Sequence, residues 1–189
     1  EQERLLFLEA AEVAIDSLGL MIGQYAEAAD RAAERTGSAE LWAVADACRA
    51  VCWEPPQTFR QALQLVWLTH VAFLYEGRYA MALGRLDQYL YPFYREDVRR
   101  GRLTPDEALD LMCHTLYKIG ESRLFGGDDV VNICIGGFTP TGEDATNELS
   151  DIILEAVCRC NIPGPNLSAR IHAHTSPEFL DRCLRVIGT

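Results

Sequence analysis

The seven residues NLSARIH, Asn166 to His172, limit the fold more than any other part of the chain. Successive side chains of an extended strand point to opposite faces. Leu167, Ala169 and Ile171 therefore share one face, and Asn166, Ser168, Arg170 and His172 share the other. A second segment upstream, Val131 to Gly136, has the same period: Val131, Ile133 and Ile135 against Asn132 and Cys134. Helix-period segments flank both. Strands alternating with helices predict a helix-rich α/β fold whose helices cover one face of the sheet. The polar row then faces solvent or, where the sheet curls into a barrel, lines the lumen that holds a ligand.

The helices announce themselves by period and by caps. Leu5, Leu8, Ile15, Leu18, Ile22 and Tyr25 recur at three- and four-residue steps, which predicts one long amphipathic opening helix. Gly19 and Gly23 each cost it about 1 kcal/mol in propensity. Their spacing predicts either a face against which another backbone packs closely or a helix break. Gly37-Ser38 marks a turn before a helix from Glu40 to Val51, and Pro55-Pro56 closes the connection that follows. Thr58 and Gln61 form a capping-box pattern that opens a helix through Leu74. That helix is apolar on nearly all sides from Leu63 to Leu74, so burial within a larger protein is expected. His70 within it reads as a core histidine rather than a ligand. Thr104-Pro105-Asp106-Glu107 starts a helix to about Ile119, and Ser176-Pro177-Glu178 starts the last one, which meets Gly188. A further amphipathic helix is expected from Asp144 to about Cys160.

Charge and cysteine content exclude several classes. A net charge of −11 argues against a nucleic-acid partner, because phosphate backbones need a basic face. Arg95, Arg99, Arg100 and Arg102 cluster, but they interleave with Glu96, Asp97 and Asp106 and read as a solvated helix end. No apolar run has the length of a membrane span, and no signal peptide is recognisable. Seven cysteines lie within apolar segments, which fits reduced thiols in a cytoplasmic protein. No CxxC pair or finger-spaced histidine occurs, so no metal site is expected. The chain opens in mid-helix without a methionine, which reads as part of something larger.

Five blocks, in order, resemble the glycyl radical enzymes, the pyruvate formate-lyase-like family. They are EPPQTFRQALQLVW, then GRLDQYLYPFY with GRLTPDEAL, then NICIGGFTPTGEDATNELS, PNLSARIH and SPEFLDRCLRVIGT. The resemblance implies a middle portion of a ten-stranded β/α barrel built from two half-barrels: a single partial domain with a helical lead-in over 1–57 and a half-barrel segment over 58–189. It implies a formate acetyltransferase-, lyase- or dehydratase-like parent that cleaves C–C, C–O or C–N bonds of a small-molecule substrate by anaerobic radical chemistry. The parent would be a cytoplasmic homodimer, its glycyl radical installed by a radical-SAM activating enzyme. The family's catalytic cysteine and glycyl loops would lie beyond this chain. None of the seven cysteines stands in a Gly-Cys motif, so no catalytic residue and no bound cofactor are expected here, and the segment alone would be inactive.

What remains is pocket wall. Some diol dehydratases of the family carry a His-Ser pair just before the Gly-Arg-x-Asp-Gln motif. The matching positions here are Tyr79 and Ala80, preceded by Arg78, a departure that argues against a diol-type substrate. Asp128 and Asp129, ahead of the NICIGG strand, either form a turn or contact substrate, and Asn132 begins the strand's polar row. Arg170 and His172 either position an anionic substrate or satisfy carboxylates of the protein. Arg85 and Asp87, beside Tyr89, Tyr91 and Tyr94, are expected to form a buried ion-pair network with phenol hydrogen bonds. Two rivals stand beside this reading. One is a non-catalytic helical interaction module or truncated paralogue, and the other is a metal-dependent hydrolase using His172 and His174.

Overall fold

The computed structural model describes residues 1–78, 80–121 and 131–188. It divides into two compact units, Glu1–Glu76 and Gly77–Thr189. The first unit is helical: α1 (Gln2–Thr36), α2 (Ala39–Val51) and α3 (Phe59–Tyr75). Ile22, Ala26, Cys48, Val51 and Leu68 form its core, with Leu18, Val44, Leu65 and Trp67 packed around them.

α1 runs unbroken, yet its apolar stripe is only half used. Gly19, Ile22, Ala26, Ala29 and Ala33 are buried, whereas Leu5, Leu8 and Ile15 are more than half exposed. Length explains the difference. At about 1.5 Å per residue, α2 is about 20 Å long and covers only part of a helix of about 50 Å. Gly19 is the point of closest approach. A β-carbon there would lie 2.6 Å from the Cys52 carbonyl oxygen and 2.5 Å from the Trp53 ring. Gly23 has nothing within 4 Å, so the expected close packing holds at one glycine and fails at the other.

Thr58 caps α3 as its pattern predicts, and Ser38, read only as part of a turn, caps α2. The Ser38 and Thr58 side chains accept from the N–H groups of Leu41 and Gln61. Gln61 reaches back to the Gln57 N–H, one residue ahead of its expected partner. α3 buries Phe59, Ala62, Leu63, Leu68 and His70 but exposes Phe73 and Tyr75.

The second unit holds a three-stranded parallel sheet in the order β1 (Ala82–Arg85), β2 (Asn132–Gly136), β3 (Asn166–Arg170). Parallel neighbours need a crossover rather than a tight turn. α4 (Leu86–Tyr89), α5 (Tyr91–Arg99) and α6 (Pro105–Glu121) lie between β1 and β2, and α7 (Glu148–Cys160) lies between β2 and β3. α8 (Pro177–Ile187) follows β3. Asn132 pairs with both Ala82 and Asn166, and Cys134 pairs with both Arg85 and Ser168. Val131, Ile133 and Ile135 are buried, as their alternation predicts. Thr104 and Glu107 form the reciprocal capping box at the start of α6, and Ser176 caps α8.

Three boundaries depart from expectation. β1 has no strand period and is a strand only through its pairing with β2. β3 ends at Arg170, two residues early. α7 begins at Glu148 rather than near Asp144, because Asn147 takes the cap: its side chain accepts from Leu149 and Ser150, and Ser150 accepts from the Asn147 N–H.

Candidate functional site

One face of the sheet carries a polar row across β2 and β3, hydrogen-bonded at its centre. The Asn132 amide donates to the Ser168 hydroxyl at 3.2 Å, and the Cys134 thiol donates to Asn132 Oδ1 at 3.4 Å. Asn166 and Arg170 are exposed at the two ends of β3. This row stands where the alternation of the two strands puts it, with one exception, His172.

The chain leaves β3 at Arg170, so His172 abandons the row. Its side chain is 4% exposed and lies against the Phe138 ring at 4.3 Å. Nδ1 accepts from the His174 N–H at 3.1 Å, which leaves the ring proton on Nε2, 3.3 Å from Asp144 Oδ1. Asp144 also accepts from the Thr146 hydroxyl and N–H. Burial alone would raise its carboxyl, but Thr146 and then His172 outweigh burial and hold it below the ordinary value. Asp144 reads as a helix residue in the sequence. The DAT triplet, an acidic residue two before a threonine, is the turn signal that marks its real place.

Phe138 and Asp144 face each other across an antiparallel bridge in the loop after β2. Arg85 and Asp87 hold that loop. Arg85 donates to the carbonyls of Gly136 and Phe138 at 2.6 and 3.0 Å. Asp87, fully buried, accepts from the Gly136 N–H at 2.7 Å and the Ser150 hydroxyl at 2.6 Å. Burial raises its carboxyl against the pull of these bonds and of Arg85. The expected ion pair between the two residues does not form. Each binds backbone instead, while Tyr91 donates to Glu148 and Tyr89 to the Leu83 carbonyl.

Arg78 is exposed in the segment that leads into β1. Tyr79, Asp128 and Asp129 lie outside the described residues. The structure thus brings Asn132, Ser168 and Arg170 onto one face and sets His172 beside Asp144. All seven cysteines are free. Burial pushes the Cys48 and Cys113 thiols up to about 11, which disfavours the thiolate. Among the described residues, no group of three or more histidine, cysteine and carboxylate side chains is arranged to hold a metal ion, and no helix is long and apolar enough to cross a membrane. An apolar cleft of about 330 Å³ lies among α7, β3 and α8, lined by Leu154, Val157, Leu167, Cys183 and Ile187 among others.

Comparison with known proteins matches this geometry to one family. The model of the pyruvate formate lyase-like family matches residues 1–189. The probable dehydratase YbiW of Escherichia coli K12 is 36% identical over 96% of the chain and 25% of its own length. The trans-4-hydroxy-L-proline dehydratase of Clostridioides difficile is 34% identical over 95% of the chain and 25% of its own. The chain therefore spans about a quarter of the length of these curated relatives. Among solved structures, one describing 1,2-propanediol dehydration in Roseburia inulinivorans superposes with a TM-score of 0.89 at 29% identity, over 96% of the chain and 25% of its own. A glycyl radical enzyme from Archaeoglobus fulgidus gives 0.82 at 30% identity, over 98% of the chain and 28% of its own.

Proposed function

The chain belongs to the pyruvate formate lyase-like family, and from that premise we propose that it is a segment of a glycyl radical enzyme that breaks a C–C, C–O or C–N bond of a small molecule. The reading rests on one observation above the rest. Three parallel strands in chain order, joined by helical crossovers, carry a hydrogen-bonded polar row on one face of the sheet. Such a sheet is one arc of a β/α barrel, with the polar row on the lumen side where substrate is held. The free edge of β3 is where the next strand of a ten-stranded barrel would pair.

In this reading 1–57 is a helical lead-in and 58–189 a half-barrel segment. Asn132, Ser168 and Arg170 line the pocket, with Arg78, Tyr79, Asp128 and Asp129 as further contacts. His172 braces the wall through Asp144. The relatives reported above are largely dehydratases by name, which favours lyase over acyltransferase chemistry. Tyr79 and Ala80, replacing the His-Ser pair, separate this chain from the diol-type branch. The radical chemistry is supplied by a cysteine and a glycine of the longer protein and by a radical-SAM activating enzyme. This chain's part is to bind and orient the substrate and to exclude water from it. Seven free thiols support a reducing, cytoplasmic setting, and a homodimer is the assembly proposed for the full-length protein.

The test is electron paramagnetic resonance on the full-length protein, treated anaerobically with its activating enzyme and S-adenosylmethionine. A glycyl radical signal with substrate turnover is expected, and neither from residues 1–189 alone. Full-length protein that gives no radical, or turnover by the short chain, would overturn the reading.

A further inference from the structure

We propose that the polar face of the sheet selects a short organic acid carrying a second oxygen, with Arg170 gripping the acid and Ser168 and Asn132 the second oxygen. This rests on the enzyme reading above and adds the substrate class to it. Arg170 and His172 each have two uses, an external anion or an internal carboxylate. His172 takes the internal one, Asp144. Several other arginines of this unit find partners: Arg85 binds carbonyls, Arg102 binds Asp97 and Arg182 binds Asp151. The Arg170 side chain has no hydrogen bond or ion pair among the described residues. Its side chain lies flat across Gly137, where a β-carbon would come within 3.2 Å of Arg170 Cβ and 3.4 Å of Nε. A bare glycine thus holds open the space that the arginine occupies.

The hydrogen bonds of the row run in one direction. The Cys134 thiol donates to Asn132 Oδ1, and the Asn132 amide donates to Ser168 Oγ. The Ser168 hydroxyl proton is left to point outward, together with the second amide proton of Asn132. The face therefore offers donors. Ala82, Asn132, Cys134, Asn166, Ser168 and Arg170 include no carboxylate, so none of these six strand residues repels an anion or competes for the guanidinium. Ser168 and Arg170 are two residues apart on one strand, about 6.6 Å between α-carbons. That separation suits a carboxylate in the arginine fork and a hydroxyl or carbonyl oxygen one or two carbons away.

Lactate and 1,2-propanediol share a carbon skeleton and differ in whether one end is a carboxylate. Calorimetric titration of the full-length protein, without activation, should show lactate binding at least tenfold tighter than the diol. Arg170→Gln should abolish that preference, Arg170→Lys should keep part of it, and Ser168→Ala should weaken lactate several-fold. Arg170 is exposed, so the variants are expected to melt with the wild type, and Ser168→Ala provides the test if Arg170→Gln does not fold. Equal binding of the two ligands, or an undiminished preference in Arg170→Gln, would overturn the proposal. Radical formation in the full-length protein separates the two readings. A radical without lactate binding sinks the substrate class alone, and Arg170-dependent lactate binding without a radical sinks the enzyme reading alone.

Discussion

Arg85 and Asp87 grip the same residue from opposite sides: Arg85 Nη2 donates to the Gly136 carbonyl at 2.6 Å, and Asp87 Oδ2 accepts the Gly136 N–H at 2.7 Å. Gly136 ends β2, so the pair fixes where the strand stops and where the loop bearing Phe138 and Asp144 begins. The clamp is made of one cation and one buried anion that never meet. Arg85 is held by peptide carbonyls and Asp87 by a peptide N–H and the Ser150 hydroxyl, with no hydrogen bond between the two.

The anion side makes stability depend on pH. Burial raises the Asp87 carboxyl above its ordinary value of 3.8, so the folded state binds the proton more tightly than the unfolded state. Its contribution is fully present below the ordinary value and is lost as pH rises through the raised one. Asp87→Asn removes the titration and keeps an acceptor. Urea midpoints from about pH 3.5 to 7 should therefore shift in favour of Asp87→Asn as pH rises. A gap that stays constant or reverses would refute the assignment. Asp87→Ala, which leaves the Gly136 N–H and Ser150 hydroxyl unpaired, should lose about 2–4 kcal/mol at neutral pH.

On the cation side, Arg85→Lys keeps the charge but cannot span two carbonyls with one planar group. We expect a loss of about 1–2 kcal/mol and faster hydrogen exchange from Gly136 to Ala145, with α1 to α3 unchanged. Unaltered protection in the loop would show that Arg85 does not hold it.

The clamp also shows where sequence reading stops. Arg85 and Asp87 are two residues apart, which invites an ion pair, but their true partner stands 51 residues from Arg85 and is a backbone group with no side-chain signature. β1 was invisible for a similar reason, since Ala82 to Arg85 becomes a strand only by lying beside β2. The polar row of β2 and β3 was legible because alternation is a local property. The caps at Thr58, Thr104 and Ser176 were legible because a cap is set within four residues. His172 continued the alternation on paper, yet the strand had ended at Arg170. Whether a partner covers an apolar stripe is likewise set by the partner's length, so the exposure of Leu5 and Leu8 could not be read from their spacing.

Gly19 and Gly23 are equally helical and differ only in what lies outside them. An alanine at 19 would press its β-carbon against the Cys52 carbonyl at 2.6 Å, a backbone atom that cannot rotate away. Gly19→Ala should therefore cost about 1–3 kcal/mol. Gly23→Ala, with open space around it, should gain about 0.5–1 kcal/mol from helix propensity. Denaturation of the two variants side by side checks this, and shifts of the same sign would contradict the packing at Gly19.

Tyr25 and Tyr75 meet hydroxyl to hydroxyl at 3.1 Å. That bond, then burial, then the neighbouring phenol pushes Tyr25 up to about 12. Because the folded value is raised, the contribution is fully present below the ordinary value of 10.0 and is lost as pH climbs through about 12. Tyr75→Phe removes the largest cause. The phenolate absorbance of Tyr25 should then appear at lower pH, and a titration that does not move would exclude the pairing.

Gly137 and Gly142 separate backbone strain from side-chain contact at the proposed anion site. Both sit in the left-handed region, at φ 87° and 86°, so alanine at either should cost about 1–2 kcal/mol. Only at 137 would the new β-carbon meet Arg170, whereas at 142 nothing lies within 4 Å. Gly137→Ala should lift the guanidinium from its resting place and weaken lactate binding several-fold without changing the charge of the site. Gly142→Ala should lose the same stability and bind lactate as the wild type does. If both variants weaken lactate equally, the loss comes from general loosening of the loop, and the position of Arg170 over Gly137 has no part in recognition.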